Sequence, residues 1–123
     1  MTNEMIREAM STAVVIDGVT LINATPHVLN IVQSDGSVLT LKASGICPRR
    51  ESNEIVDQAI GLIEVTRQTL GQIEGLPGTA PGLYYIVSRL VASASDRDDL
   101  LVPGSLIRDD QGKVIGCKGL SRI

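Results

Sequence analysis

From residue 13 onward, short apolar runs alternate with turn residues, a rhythm that suits strands better than helices. Ala13-Val14-Val15-Ile16 and Val19-Thr20-Leu21-Ile22 flank Asp17-Gly18. Asp-Gly supplies the positive φ angles of a two-residue turn, so a tight antiparallel hairpin is expected here. The device recurs. Val28 to Val32 and Ser37 to Leu41 enclose Ser34-Asp35-Gly36, and Ser105 to Arg108 and Lys113 to Cys117 enclose Asp109-Asp110-Gln111-Gly112. Up to four antiparallel strands are expected by residue 42. Between the first two hairpins, Pro26 interrupts pairing, which makes Asn23 to His27 a loop or a bulged edge.

Elsewhere the pattern changes. Met5, Ile6, Ala9 and Met10 stand at helical spacing behind Thr2 or Asn3, which predicts a short amphipathic helix or an arm over residues 1–12. Residues 43–53 are polar and turn-forming and read as surface loop. Residues 54–76 read as two or three short strands, given Gly61, Gly71 and many β-branched side chains. Leu76 to Gly82 holds two Pro and two Gly, a clear breaker. The uncharged run Leu83 to Ser88 predicts a central buried strand, and the alanine-bearing Arg89 to Ser95 a short helix ended by Asp96 to Asp99. The sum is a single strand-rich α+β domain over residues 13–123: antiparallel hairpins forming a small sheet or barrel-like sandwich, with one or two short helices.

Composition narrows the partners. A chain of 123 residues has room for one core. With 43% hydrophobic residues but no Trp, no Phe and only Tyr84 and Tyr85 as aromatics, that core is aliphatic. Few aromatics and a net charge of −3 argue against single-stranded and duplex nucleic acid, which call for stacking platforms and a basic face. Cys47 and Cys117 sit in no metal-ligand spacing, so neither a metal nor another cofactor is expected. No run approaches a membrane span, and Glu4, Arg7 and Glu8 interrupt any signal-peptide core, which together predict a cytoplasmic protein with reduced thiols.

The candidate chemistry is sparse. His27 is the only histidine; it either bridges the bend at Pro26 or contacts a ligand. A nucleophilic pair with Cys47 or Cys117 finds no support in the spacing. Arg97, Asp98 and Asp99 either tie a loop down or form a site in which Arg97 meets phosphate and a carboxylate accepts from sugar or base. Arg49 and Arg50, in a loop after a Gly and a Pro, are either solvated or clamp an anion. Ala43-Ser44-Gly45 lacks the spacing of a Walker or dinucleotide-binding loop, and no serine stands in a GxSxG context.

Asn23, Thr25-Pro26-His27, Gly71 to Pro77, Tyr85-Ile86-Val87-Ser88, Arg97 to Leu100, Arg108-Asp109, Gly112 and Gly116-Cys117 together carry a resemblance. From about residue 20 to its end the chain resembles a family of small uncharacterised proteins encoded by bacteriophages and prophages. The resemblance implies an inhibitor of host defence, which sequesters a nucleotide immune signal or covers a host protein. The first expectation is a non-enzymatic homo-oligomer holding a small nucleotide-derived ligand such as a cyclic ADP-ribose-like molecule. In it Arg49, Arg50, Arg97 and Arg108 engage phosphates, His27 and Tyr85 contact base or ribose, and Thr25, Asp98 and Asp99 bind hydroxyls. The second is a protein-binding inhibitor of a defence effector or nuclease. The third is a small hydrolase using His27 with Asp98 or Cys117.

Overall fold

A computed structural model describes residues 10–123. The expected N-terminal helix or arm falls largely on residues 1–9, outside the described residues. The strands are β1 (Val14–Ile16), β2 (Val19–Asn23), β3 (Leu29–Val32), β4 (Val38–Leu41), β5 (Arg49–Ile60), β6 (Ile63–Glu74), β7 (Leu83–Ile86), β8 (Leu100–Arg108) and β9 (Val114–Ser121). A four-residue helix, α1 (Arg89–Ala92), follows β7.

The α+β expectation is overturned. Strands make up 53% of the described residues and helix 5%. The helix begins at Ser88, whose hydroxyl accepts from Val91 N–H, and stops one turn later at Ser93, so it cannot form a layer of its own. The fold is a nearly closed barrel-like sheet of seven strands, in the order β1-β2-β7-β8-β9-β3-β4, plus a two-stranded sheet of β5 and β6. Among the described residues, no helix is long and apolar enough to cross a membrane.

The three expected hairpins are present: β1–β2, β3–β4 and β8–β9. At the first turn Asp17 and Gly18 have φ of 50° and 78°, the left-handed pair that a type I′ turn needs. They do not, however, assemble into one antiparallel sheet. The first two hairpins lie at opposite ends of the strand order, joined through β7, β8 and β9. The joins β2–β7, β7–β8 and β3–β9 are all parallel.

Parallel strands with cover on both faces read as unbroken apolar runs. Here β7 and its extension send Tyr85 and Val87 to one core and Ile86 to the other. β8 likewise divides Leu100 and Val102 from Leu101. One core, around Ile31, Leu41, Ile86 and Cys117, gathers side chains from all seven strands of the sheet, which places it inside the barrel. The other lies between the opposite face of β2, β7 and β8 and a cover made of Ile46, the α1 residues Val91 and Ala92, Ile73 at the foot of β6, and Leu76 just after it.

Asn23, only 1% exposed, ties the end of β2 to β4. Its Nδ2 donates to the carbonyls of Leu41 (3.1 Å) and His27 (2.7 Å). Its Oδ1 accepts from the backbone N–H and hydroxyl of Thr25, and its own carbonyl accepts from the N–H and hydroxyl of Ser44. Every polar atom of this buried amide is matched, as burial demands.

β5 and β6 correct the reading of residues 49–76. In place of a loop followed by two or three short strands, there are two twelve-residue strands forming one hairpin. Arg49 and Arg50 therefore stand on a strand, not in a loop. Gly61 has φ of +60° and Leu62 does not share the positive φ, so Gly61-Leu62 forms a type II′ turn between the paired Ile60 and Ile63. The hairpin is an arm. From Glu51 to Ile60 every residue is exposed, and its foot, at Arg50 and Ile73, is fastened to the rest of the fold.

Candidate functional site

A trough of about 530 Å³ lies on the barrel wall. One side is the segment His27, Val28, Leu29 and Asn30 entering β3; the other is Lys113 to Cys117 of the last turn and β9; Pro103 and Leu106 of β8 complete it. At Gly116 β9 approaches β3 so closely that a Cβ there would lie 2.8 Å from the Asn30 carbonyl. The walls are mostly aliphatic, and Val28, Leu106, Val114 and Ile115 are exposed. Two polar groups stand at the rim: among the described residues, neither the His27 ring nor the Lys113 ammonium has a hydrogen bond or ion pair to another group. No carboxylate lines the trough.

The structure divides the residues singled out from sequence into separate groups. Arg97, Asp99 and Tyr85 meet at the foot of the arm. Arg97 Nε and Nη2 grip Asp99 at 2.9 and 2.6 Å, and its Nη1 donates to the Pro77 carbonyl at 2.9 Å. The guanidinium also lies 5.9 Å from the Tyr85 ring centroid. The hydrogen bond to Asp99 holds the Arg97 pKa above its ordinary value, against the opposing effect of burial. Tyr85 is 3% exposed and its hydroxyl donates to the Gly78 carbonyl, so it has no face open to a base. Burial lifts the Tyr85 phenol above the usual tyrosine value, although the Arg97 charge pulls the other way. This cluster fixes the breaker loop against the core; the hollow beside it holds only about 90 Å³.

Thr25 serves the Asn23 network. Arg50 donates to the Gly71 carbonyl and to Ser93, fastening the arm to α1. Arg108 donates to Gly112 across the last turn. Asp98 and Arg49 are exposed, and the Asp98 carbonyl accepts from Arg122. Of the nine, only His27 lines the trough.

Sequence reasoning missed Lys113, Asn30 and the apolar walls as site residues. A signal was present. Val114 and Ile115 are consecutive on a strand, so they cannot both face one core. Among the described residues no cluster of three or more His, Cys, Asp or Glu side chains could hold a metal. Cys47 is exposed and Cys117 buried, with its thiol on the Gly119 carbonyl. Comparison with known proteins adds nothing to this picture: no family model, curated protein or solved structure matches the chain.

Proposed function

We propose that the protein is a non-catalytic binder that holds a small nucleotide-derived signal in the trough and so keeps it from its receptor. The observation that carries this reading is the pairing of an aliphatic trough with an uncommitted cation and imidazole at its rim. A volume of about 530 Å³ suits a small ligand. The walls accept the flat face of a base, Lys113 meets a phosphate as a point charge, and His27 adds a donor or acceptor for ribose or phosphate. The likeness to phage proteins supports taking the signal to be an immune nucleotide in the bacterial cytoplasm, which is an argument by resemblance.

The test is to incubate the protein with extracts carrying such signals, wash it, heat it, and identify the released molecule by mass spectrometry. Intact nucleotide, bound about tenfold or more weakly by Lys113→Ala at unchanged thermal stability, is the expected result. Release of a cleaved product would replace the binder with a hydrolase. Nothing released, with a host protein retained instead, would replace it with a protein-directed inhibitor.

A further inference from the structure

The two polar groups on the trough rim come from separate strands: His27 stands before the start of β3 and Lys113 before the start of β9. A ligand that spans them meets a fixed site only if both segments hold still in its absence. The Lys113 side is fastened through its backbone. Asp109 Oδ1 accepts from the Lys113 N–H at 3.0 Å, and the Lys113 carbonyl accepts from the Asp109 N–H at 2.9 Å. The His27 side is an exposed bend at residues 26–28, outside any strand. Segments of this kind are ordinarily more mobile than the elements they connect.

A buried side chain holds this bend. Asn23 is rooted in the sheet, where it pairs with Ile86 of β7 and the next N–H, of Ala24, donates to the Ile86 carbonyl at 2.8 Å. From that root Asn23 Nδ2 donates to the His27 carbonyl at 2.7 Å. The Thr25 hydroxyl spans the two, 2.6 Å from Asn23 Oδ1 and 3.1 Å from the same carbonyl. Pro26, between them, has its φ fixed by its ring. The His27 carbonyl is thus gripped twice by groups anchored on β7.

We infer that Asn23 and Thr25 are positioning residues for the trough: by holding the His27 carbonyl they set where the imidazole stands on the rim opposite Lys113. Thr25, expected from sequence to bind ligand hydroxyls, acts instead through His27. The consequence for a ligand rests on the proposed function; the placement of the ring does not.

The test uses Thr25, because Asn23 also holds the Leu41 carbonyl and its loss would loosen the barrel. Thr25→Val keeps the branched shape and removes the hydroxyl, and Thr25→Ser keeps the hydroxyl. His27 is the only histidine, so its ring gives an unambiguous NMR signal in the ligand-free full chain. Wild type and Thr25→Ser are expected to show one narrow Hε1 resonance, and Thr25→Val a broadened or doubled one. With the extracts, Thr25→Val is expected to hold nucleotide about fivefold or more weakly, and Thr25→Ser to restore most of that loss. A hydroxyl with a purely structural role would lower Tm and leave the ring signal narrow, which would overturn the inference. So would a signal that broadens equally in both variants, or retention that stays at the wild-type level while the ring loosens. A wild type that releases no nucleotide, with the ring signal disturbed only in Thr25→Val, would leave the placement standing and remove the proposed ligand.

Discussion

The run Leu83 to Val87 and the run Ile60 to Val65 draw on the same kind of residues, yet one is the centre of the molecule and the other its most exposed part. β7 has a strand on each edge, β2 and β8, and a core on each face. β5 and β6 have only each other. Burial therefore follows from the number of neighbours the topology supplies and not from side-chain type. An apolar strand that ends up without neighbours is a surface waiting for one.

The glycines offer the sharpest way to break that comparison. In the barrel, a Cβ at Gly104 would run into the carbonyl oxygens of Lys118 and Gly119, backbone that cannot yield without parting β8 from β9. Gly104→Ala is expected to cost about 3 kcal/mol or more in urea unfolding. In the arm, a Cβ at Gly71 meets the exposed side chain of Glu51, which can move, so Gly71→Ala is expected to cost about 1 kcal/mol or less. Equal losses would mean that the arm belongs to the same cooperative unit as the barrel.

Asn23→Ala comes next. It leaves the Leu41 carbonyl short of a side-chain donor and unfastens β2 from β4, for an expected loss of about 2–3 kcal/mol by denaturant midpoint. A loss below about 0.5 kcal/mol would show that barrel closure does not depend on this amide. Arg97→Ala strands Asp99, whose side chain is 11% exposed, and releases the Pro77 carbonyl, so about 2 kcal/mol is expected. That loss should appear in folding and not in ligand retention, which separates the foot of the arm from the trough.

The smallest effect is one of pH. The folded state raises the Tyr85 pKa above 10.0, so it favours the neutral phenol. The resulting stability is complete below the unfolded value and disappears as pH rises through the folded one. In a Tyr84→Phe protein the remaining phenol is expected to ionise above pH 10.0 by ultraviolet absorbance, and Tyr85→Phe should lessen the alkaline loss of stability. A midpoint at or below 10.0 would mean that the ring is wetter than its burial implies.

Local features were legible in the sequence because local physics determines them. Asp17-Gly18, Ser34 to Gly36 and Asp109 to Gly112 announced their turns, and the uncharged Leu83 to Ser88 announced a strand buried on both sides. Parallel pairing was not legible, since it joins residues such as Ile22 and Tyr85 that no local pattern links. The arm was broken into pieces because Gly61 and Gly71 read as interruptions; in fact Gly61 makes the turn and Gly71 belongs, with Gln72, to a bulge in β6 opposite Glu51. The trough was hidden for a similar reason. Its walls come from residues 27–30 and 103–117, and arginines that looked free on paper are held by neighbouring carbonyls and by Asp99.

The strand order also sets a timetable. As the chain leaves the ribosome, β1–β2 and β3–β4 emerge early, but β7, β8 and β9, which join them into one sheet, all lie after residue 82. Until then two small hairpins and a long ribbon wait with open edges, the situation that makes folding through distant contacts slow and exposes nascent chains to misassociation. The final third of the chain thus acts as a keystone: a ribosome stalled before it would present a necklace of hairpins with no strand to join them into the barrel.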